Sequence, residues 1–546
     1  MGLSVAGWGA GFWLPWCAAL VGLLVTVLLE QCMQPCPPLR RPLAAWSVHA
    51  GLWLLVHGAL TVLLGRPWFA MAGGLALLLT VVLVNNAKFR ALREPFVFQD
   101  YEYFTDAIRY PRLYIPFLGW WKFLLASAGF AAAVGIGWWW EPVPEVRWSA
   151  TGQVGAVVVQ VLLGGLLLVL GSRKRLNLGL DAHHDLLVLG LLACLWRYAL
   201  MGRRLPTAPG AFAGAAHEGK GEAGAPAPAC VPGADGWRLP ERLPDLVAVQ
   251  SESFFDTRAL FAGIRPQVLD QLDLVQAEAF LHGSMRVPAW GANTVRTEFA
   301  FLTGVESRDL GIHQFNPYRA IAGGWQVASL ARYLKRLGYR TVCVHPYPAG
   351  FYLRYKVYPL LGFDAFVDIQ GFANAQRCGP YVSDAAVAER IMQLLHERGA
   401  GEQPLFVLAI TMENHGPLHL ERVAPGDLEQ LYHTPPPAGC EDLTIYLRHL
   451  RNANRMLGSL RTQLAALPRP ASLCWYGDHV PIMPTVYATF GQPSGVVPYA
   501  CWSNPLALAQ TCALPSRPGQ AARPLAAHEL SRQWLAGLGL WPDPLD

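Results

Sequence analysis

Five long runs of apolar residues, nearly free of charge, constrain this chain more than any other feature. They cover residues 11–29, 43–64, 68–84, 113–140 and 154–170. Each is close to the roughly 20 residues that a helix needs to cross a hydrocarbon core, and tryptophans cluster at their ends. Core helices of a soluble protein are the alternative interpretation, and five such runs argue against it. The sequence therefore predicts a transmembrane domain of about five spans within residues 1–200.

The two ends of this region leave alternatives open. The first run has the apolar core of a signal peptide, but it lacks a basic flank and a clear cleavage site, so we interpret it as a span. A sixth stretch, 185–200, is short and carries Arg197 near its end, which suits an interfacial helix or a short sixth span. The basic loops at 40–41, 88–93 and 173–175 lie on the same side of the membrane if successive spans alternate in direction, and that side would be cytoplasmic. A sixth span would then place the C-terminal half outside the cytoplasm.

Composition changes sharply after this region. Residues 201–238 are rich in Gly, Ala and Pro and are interpreted as a flexible linker. Over the whole chain, 53% of residues are hydrophobic and 15% are charged, which excludes a disordered chain. The net charge of +5 is small for 546 residues, and we expect no nucleic-acid partner. Nothing in these figures specifies an oligomeric state.

Residues 239–546 have the pattern of an α/β domain with a mainly parallel central sheet. Short apolar runs typical of buried parallel strands alternate with helical periodicity. The predicted strands are 245–250, 340–345, 404–411 and 471–476. The predicted helices are 325–337, 382–398 and 441–467.

Polar residues that can carry chemistry follow the predicted strands. Glu252 follows the first, His345 ends the second, Glu413 and His415 follow the third, and Asp478-His479 follows the fourth. Each is weak evidence alone, because a histidine after a strand is commonly a loop residue. Open α/β sheets bind ligands at the carboxyl ends of their strands, so together these residues indicate a site there.

A nucleophile candidate lies in a predicted helix start. Asn293 is a good N-cap, and the apolar residues that follow have helical spacing. Thr294 would then lie in the first turn, where the helix dipole favours an alkoxide and a bound phosphate. From local sequence alone, a helix cap is the better explanation of Thr294 or Thr297.

These motifs together resemble a known family. QSESF with Glu252, NTVRTEF with Thr294, HPYPAGFYLR, MENHGPL and YGDHVP occur in the order found in lipoteichoic acid synthases. They are more similar to the phosphoglycerol transferases that modify periplasmic glucans, and NNAKFRALREPFVFQD resembles the membrane part of that group. Both groups belong to the sulfatase/alkaline phosphatase superfamily. The resemblance covers most of the chain apart from the linker and about the last fifty residues.

The resemblance implies a set of site residues. One divalent metal ion, Mn²⁺, Mg²⁺ or Zn²⁺, would be held by Glu252, Thr294, Asp478 and His479. Thr294 would be the nucleophile, since metal coordination lowers the pKa of a hydroxyl. The substrate would be bound by His345, Tyr352, Arg354 and His415, with His415 protonating the leaving alkoxide.

The sequence departs from the family pattern at two positions. Tyr355 stands where an acidic residue usually follows the arginine, which puts a supporting contact to Arg354 in doubt. Tyr352 stands where the Gram-positive synthases have tryptophan. The Cys-x-Pro-x-Arg motif of sulfatases is absent, which argues against hydrolysis of sulfate esters. The 11 cysteines allow disulfides without indicating a pairing.

The resemblance implies a phosphoglycerol transferase. It would move glycerophosphate from phosphatidylglycerol to a periplasmic or surface glycan through a threonine-linked intermediate. The catalytic domain would face the periplasm from a bacterial inner membrane. The alternatives are a phosphoethanolamine transferase, a phosphodiesterase or sulfatase-type hydrolase, and a non-catalytic membrane component of glycan assembly.

Overall fold

The chain forms two compact units, Met1–Arg204 and Leu205–Asp546. The structure, a computed structural model, describes residues 5–113, 119–141, 147–174, 178–216, 239–399, 401–510 and 522–542. Helices followed by an α/β unit match the predicted fold class, which is confirmed.

The first unit is helical throughout its described part. Its helices are α1 (Val5–Gln31), α2 (Leu43–Leu64), α3 (Pro67–Leu92), α4 (Glu102–Arg109), α5 (Trp120–Trp140), α6 (Arg147–Arg173), α7 (Ala182–Leu189) and α8 (Leu191–Met201). Among the described residues, four segments are long and apolar enough to cross a membrane, in α1, α2, α3 and α6. The fourth predicted run forms α5 only from Trp120 onward, and residues 114–118 lie outside the described part. The count of five spans stays a prediction.

The ambiguous sixth stretch is divided into two helices at Gly190. This residue has φ 75°, a left-handed conformation that interrupts the helix. The longer part, α8, has 11 residues and a length of about 17 Å, against a hydrocarbon core of about 30 Å. Neither part is long enough to cross a membrane by itself, which favours the interfacial alternative.

Helices α2 and α6 pack closely because glycines line their contact. A Cβ added to Gly51 would lie 2.8 Å from the carbonyl oxygen of Gly164, and one added to Gly171 would lie 2.7 Å from that of Ala44. Small residues let two apolar helices approach closely where lipid offers no hydrophobic driving force. A larger side chain at Gly51 would force these helices apart.

A buried carboxylate connects three helices of the first unit. Glu30, near the end of α1, is 2.5 Å from Arg41 Nη1 and 3.4 Å from His49 Nδ1 in α2. Its Oε1 also accepts hydrogen bonds from the amides of Leu191 and Leu192 at the start of α8. Glu30 therefore caps α8 while its charge is balanced by Arg41.

Residues 85–100, the NNAKFRALREPFVFQD segment, are held in place by buried polar contacts. Lys88 Nζ donates to Glu94 Oε1 at 2.6 Å and to Asp100 Oδ2 at 2.5 Å. The Asn85 side chain accepts from the amide of Phe96. These contacts fold the loop after α3 back onto the end of that helix.

The second unit is built on an eight-stranded sheet. Its strands are β1 (Asp245–Ser251), β2 (Leu281–Arg286), β3 (Arg340–Val344), β4 (Ala365–Val367), β7 (Leu405–Ile410), β8 (Ala471–Gly477), β9 (Val497–Ser503) and β10 (Leu525–Ala526). Their order is β10-β2-β9-β8-β1-β7-β3-β4, with antiparallel pairing only where β9 meets β2 and β8. A separate hairpin contains β5 (Arg377–Cys378) and β6 (Tyr381–Val382).

The four predicted strands form the centre of this sheet. They correspond to β8, β1, β7 and β3, which are adjacent and parallel. Their residues alternate between two cores: Val247 and Val249 of β1 face one, and Leu246 and Ala248 face the other. Because both faces are covered by helices, these strands are continuous apolar runs.

Helices cover both faces of the sheet. They are α9 (Asp270–Glu278), α10 (Thr294–Thr303), α11 (Pro317–Ala322), α12 (Leu330–Arg336), α13 (Arg354–Leu361), α14 (Asp384–Glu397), α15 (Asp427–Leu431), α16 (Glu441–Ala465), α17 (Pro484–Phe490), α18 (Pro505–Leu508) and α19 (Ala527–Gly537). One core takes α9, α14 and α16, and the other takes α10, α12, α13 and α19. The result is a three-layer α/β/α unit.

Part of the predicted linker packs against the second unit. Residues Ala211–Ala216 form a short 3₁₀ helix. Phe212 is fully buried, with its ring 5.7 Å from that of Tyr333 and 5.3 Å from that of Trp541. The segment therefore differs from the expected flexible linker here, because one aromatic residue fills the core. The rest of the predicted linker, residues 217–238, lies outside the described part.

Candidate active site

Three side chains from two neighbouring strand ends form a buried cluster. Glu252 follows β1, and Asp478 and His479 follow β8. His479 Nε2 lies 3.6 Å from Glu252 Oε1 and 3.4 Å from Asp478 Oδ2. All three residues are at most 2% exposed. The parallel pairing of β1 with β8 brings these residues to one edge of the sheet.

Ser253 fixes the two carboxylates of this cluster. Its amide donates to Asp478 Oδ1 at 2.8 Å, and its hydroxyl donates to Glu252 Oε1 at 2.9 Å. Ser253 has φ 51°, an unusual conformation for a residue with a side chain. Within the described part of the second unit, the other non-glycine residues with positive φ are Asn293, Tyr352 and Leu353, and all three belong to the quoted motifs. Such backbone strain is commonly found at functional sites.

The cluster has atoms that suit a cation. His479 Nδ1 is 3.1 Å from the carbonyl oxygen of Val480, so Nδ1 carries the proton and Nε2 presents a lone pair. Both Nε2 and Asp478 Oδ2 are buried without a hydrogen-bond partner. Two N or O ligands of a tetrahedral metal at about 2.1 Å are about 3.4 Å apart, close to the separations here.

The charges of the cluster also favour a bound cation. Burial and the neighbouring Asp478 carboxylate raise the pKa of Glu252 to about 8. Two buried carboxylates are costly to keep ionised side by side without a compensating positive charge. Glu252, Asp478 and His479 therefore fit a divalent metal ion, as the motifs imply.

The two threonines of the NTVRTEF motif have different environments. Thr297 is fully buried, and its hydroxyl donates to the backbone carbonyl of Asp478 at 2.7 Å. Thr294 is the first residue of α10 and is 7% exposed. Thr297 thus attaches α10 to the loop that carries Asp478 and His479, and Thr294 lies one turn earlier in the same helix. The geometry favours Thr294 over Thr297 as the candidate nucleophile.

Arg354 belongs to a second buried network. Its Nη2 donates to Glu298 Oε2 at 2.7 Å, and its Nη1 donates to His345 Nε2 at 3.1 Å. The hydroxyls of Tyr318 and Tyr358 also donate to Glu298 Oε1. Burial and the Arg354 guanidinium lower the pKa of His345 well below its usual value. His345 is therefore neutral, with its Nδ1 proton directed to the carbonyl of Ile410 at 3.1 Å.

The two departures from the family pattern have different structural outcomes. Tyr355 is 57% exposed. The carboxylate that supports Arg354 comes instead from Glu298, one turn after Thr294 in α10. Tyr352 lies against the guanidinium of Arg354, whose Cζ is 5.3 Å from the centre of the Tyr352 ring. Tyr352 thus covers one side of Arg354.

His415 lies in the loop after β7. Its Nδ1 is 2.6 Å from the carbonyl oxygen of Gly416, and the hydroxyl of Tyr381 donates to the same oxygen at 3.1 Å. Nδ1 therefore carries the proton, and Nε2 is the nitrogen with a lone pair. Burial lowers the pKa of His415. A neutral His415 is a base at Nε2, whereas the motifs suggested an acid.

Three supporting residues were not identified from the sequence. Ser253 orients the Glu252 and Asp478 carboxylates, Glu298 holds Arg354, and Tyr381 contacts the His415 loop. Glu298 had a detectable signal, since it is an acidic residue between the apolar positions Val295 and Phe299 of a buried helix. Ser253 and Tyr381 act through contacts between distant segments, which no local pattern indicates.

Comparison with known proteins supports this assignment of the fold. The family model described as Sulfatase matches residues 244–535. The chain is 27% identical over 459 residues to the capsular polysaccharide biosynthesis protein RkpI of Rhizobium meliloti (strain 1021), covering 80% of this chain and 78% of that protein. It is 28% identical over 260 residues to a putative cyclic beta-1,2-glucan modification protein of the same organism, covering 46% of this chain and 38% of that one.

A solved structure is similar over both units. The integral membrane lipooligosaccharide phosphoethanolamine transferase A (EptA) from Neisseria meningitidis matches with a TM-score of 0.55 and 13% identity. The match covers 96% of this chain and 95% of that one. At this identity the likeness concerns the fold alone, a set of helices followed by an α/β unit.

Proposed function

The chain belongs to the sulfatase family, and from this premise we propose that it is a membrane-anchored phosphoglycerol transferase. The proposed donor is phosphatidylglycerol and the proposed acceptor is a periplasmic or surface glycan. The observation that carries the proposal is the buried Glu252–Asp478–His479 cluster, with Thr294 beginning the helix that is attached to it. Four apolar segments long enough to span a membrane suit an enzyme whose donor is a lipid.

The choice of donor and acceptor has separate support. The quoted motifs are most similar to those of phosphoglycerol transferases, which supports glycerophosphate as the group transferred. The names of RkpI and of the putative glucan modification protein both refer to glycans, which supports a glycan acceptor. We place the α/β unit on the periplasmic side of a bacterial inner membrane, where lipid headgroups and such glycans meet.

The site residues would act together in the first step. Glu252, Thr294, Asp478 and His479 would hold one divalent ion, whose chemistry when bound is to lower the pKa of a hydroxyl. Thr294 Oγ1 forms a bond to phosphorus, and the bond from phosphorus to the diacylglycerol oxygen breaks. The Thr294 proton moves to His415 Nε2 and from there to the leaving oxygen. His345, Tyr352 and Arg354 surround the headgroup, and Arg354 is kept charged and oriented by Glu298.

The second step reverses these roles. A glycan hydroxyl gives its proton to His415 Nε2 and forms a bond to phosphorus, while the bond from phosphorus to Thr294 breaks. The proton returns to Thr294 Oγ1. A neutral His415 with its lone pair at Nε2 suits this shuttle, because the same nitrogen accepts and donates in each step.

The proposal is tested by replacing the nucleophile. The Thr294→Ala variant should release no diacylglycerol from phosphatidylglycerol vesicles, because the hydroxyl that forms the intermediate is lost. Thr303→Ala, a threonine at the end of the same helix whose hydroxyl bonds to Phe299 within that helix, should retain activity. Release of diacylglycerol at the wild-type rate by Thr294→Ala would overturn the assignment.

The adduct on Thr294 distinguishes the transferase alternatives. Mass spectrometry of acid-quenched enzyme should find phosphoglycerol on the peptide that contains Thr294. Phosphoethanolamine there would instead support the activity suggested by the whole-length likeness to EptA. An unmodified peptide during turnover would contradict both transferases and favour direct hydrolysis.

A further inference from the structure

A second group of side chains with metal-binding chemistry lies outside the cluster described above. Cys378 is in the β5–β6 hairpin, Glu413 follows β7, and His449 is in α16. One ligand atom from each lies within 4.8 Å of the others. The group shares no residue with the Glu252 cluster. Glu413 belongs to the MENHGPL motif, but the proposed mechanism uses none of the three residues.

The separations within this group fit a tetrahedral metal. His449 Nδ1 is 3.2 Å from Glu413 Oε1 and 3.6 Å from Cys378 Sγ. Zinc binds N and O ligands at about 2.0–2.1 Å and S at about 2.3 Å, so N and O ligands are about 3.3 Å apart and N and S ligands about 3.6 Å. Two of the three separations therefore match those of a zinc tetrahedron, and the third, between the Cys378 and Glu413 ligand atoms, is within 4.8 Å.

The surroundings orient the ligand atoms. Both carboxylate oxygens of Glu421 are 3.1 Å from His449 Nε2, which fixes that proton and turns Nδ1 toward Cys378 and Glu413. A carboxylate behind a histidine is the usual support for a metal-binding imidazole. The side-chain amide of Asn452 donates to Glu413 Oε1 at 2.7 Å and to Cys378 Sγ at 3.6 Å.

The environment of Asp384 independently indicates that a cation binds near this group. Both of its carboxylate oxygens are buried without a hydrogen-bond partner, and the residue is 1% exposed. Its amide donates to Glu413 Oε2 at 2.7 Å, which places it beside the group. Its charge interacts with those of Glu413 and His449, and also with that of Glu252 in the first cluster. A buried carboxylate without a donor is costly, so it requires a proton or a cation nearby.

We propose that Cys378, Glu413 and His449 bind a second divalent metal ion, most suitably Zn²⁺. The Asp384 carboxylate lies nearby and adds negative charge. A thiolate, an imidazole and a carboxylate form a ligand set that selects Zn²⁺ over Mg²⁺ or Mn²⁺, which prefer oxygen. The burial of Glu413 and His449 indicates a closed, structural site.

The ion would position the loop that carries His415. Cys378 belongs to the same hairpin as Tyr381, whose hydroxyl contacts the Gly416 carbonyl that also accepts from His415. Glu413 is two residues before His415. A metal that joins Cys378, Glu413 and His449 would therefore fix two segments to helix α16: the hairpin that carries Tyr381 and the loop that carries His415.

The competing explanation is a proton in place of the metal. Although burial opposes it, hydrogen bonds with Cys378, Glu413 and Glu421 raise the pKa of His449 to about 11. An imidazolium would bridge Glu413 and Glu421 without any metal. The two explanations differ in metal content, which is directly measurable.

The test is the metal stoichiometry of the full-length chain purified in detergent without chelator. Elemental analysis should find two ions per chain in the wild type and one in Cys378→Ser and in His449→Gln. The Asp478→Asn variant should also retain one, the ion of the second site. Cys440→Ser, a buried cysteine outside the group, should keep two.

Cobalt substitution provides a second measurement, and its decisive spectrum, that of the wild type, does not depend on how well a variant folds. Wild-type protein loaded with Co²⁺ should show a thiolate-to-cobalt charge-transfer band that Cys378→Ser lacks and Cys440→Ser keeps. One ion per chain in the wild type, with no thiolate band, would overturn the second site. That result would leave the proposed transferase activity intact, because it concerns only the residues outside the Glu252 cluster.

Discussion

Two buried polar networks lie at the same edge of the sheet and differ in how completely they are paired. In the Glu252–Asp478–His479 cluster, Asp478 Oδ2 and His479 Nε2 have no hydrogen-bond partner. In the Glu298–Arg354–His345 network, the guanidinium meets a carboxylate, and that carboxylate also accepts from two tyrosine hydroxyls. Both networks are almost fully buried.

This difference indicates that the first network is suited to binding a ligand and that the second holds side chains in position. A buried acceptor without a donor is unfavourable until a ligand arrives, so the first network is built to receive a cation. A buried ion pair whose charges are matched is stable without a ligand, so Glu298 holds Arg354 in one position for the proposed headgroup. Removing a residue from the first network should therefore cost function, and removing Glu298 from the second should cost stability.

The largest expected effect comes from breaking the metal-binding cluster. Asp478→Asn removes one carboxylate charge from the ion and should reduce transferase activity to background. The thermal unfolding of the metal-free chain should change little, because the Asp478 carboxylate is opposed by Glu252 in the absence of a cation. Activity is measured as diacylglycerol release, and stability as the unfolding temperature in the presence of chelator.

The matched control is Asp256→Asn, four residues after Glu252. Asp256 pairs with Arg258 at the surface, where such a pair contributes at most about 1 kcal/mol. It should keep both activity and metal. If Asp478→Asn instead unfolded the metal-free chain while Asp256→Asn did not, the division between the two networks would be wrong.

The supporting network should show the opposite result. Glu298→Gln leaves the buried Arg354 charge without its carboxylate, which typically costs about 3–5 kcal/mol of unfolding free energy. The ion content of folded protein should stay unchanged. Denaturant unfolding of the full-length chain in detergent measures the first quantity, and elemental analysis measures the second.

Glu278→Gln is the control for this loss. Glu278 pairs with Arg461 in a partly exposed position, so its replacement should cost less than about 1 kcal/mol. Equal losses of unfolding free energy in Glu278→Gln and Glu298→Gln would show that burying the Glu298–Arg354 pair adds nothing to stability.

The contrast also explains what the sequence could predict. The central strands were predictable because each is a continuous apolar run between helical patterns, and their ends located Glu252, His345, His415 and Asp478. Strands β2 and β10, at one side of the sheet, were missed because β2 contains charged and exposed residues and β10 has only two residues. Their pairing depends on neighbours that are distant in the sequence.

The arrangement around the site was less predictable than its residue types. The motif indicated Arg354 but not that Glu298 in α10 would replace the acidic neighbour expected at Tyr355. Likewise, the local sequence did not distinguish Thr294 from Thr297; the family resemblance chose Thr294, and the contact between Thr297 and Asp478 supports that choice. Such contacts join segments about 180 residues apart, and no local periodicity encodes them.

The smallest expected effect concerns the pH dependence of stability. Burial and Arg354 lower the pKa of His345 in the folded chain, while the unfolded chain has the ordinary value of 6.5. Below pH 6.5 the unfolded chain binds a proton that the folded chain does not, so this residue makes stability fall as the pH falls. One such group changes the unfolding free energy by at most about 1.4 kcal/mol per pH unit.

His345→Gln isolates this contribution from other titrating groups. Glutamine can donate to the Ile410 carbonyl and accept from Arg354 as His345 does, but it does not titrate. The unfolding free energies of wild type and His345→Gln should run parallel above pH 6.5 and converge below it, as only the wild type loses this contribution. Parallel curves on both sides would mean that Arg354 does not hold His345 neutral, and the second network would then be less tightly paired than its distances indicate.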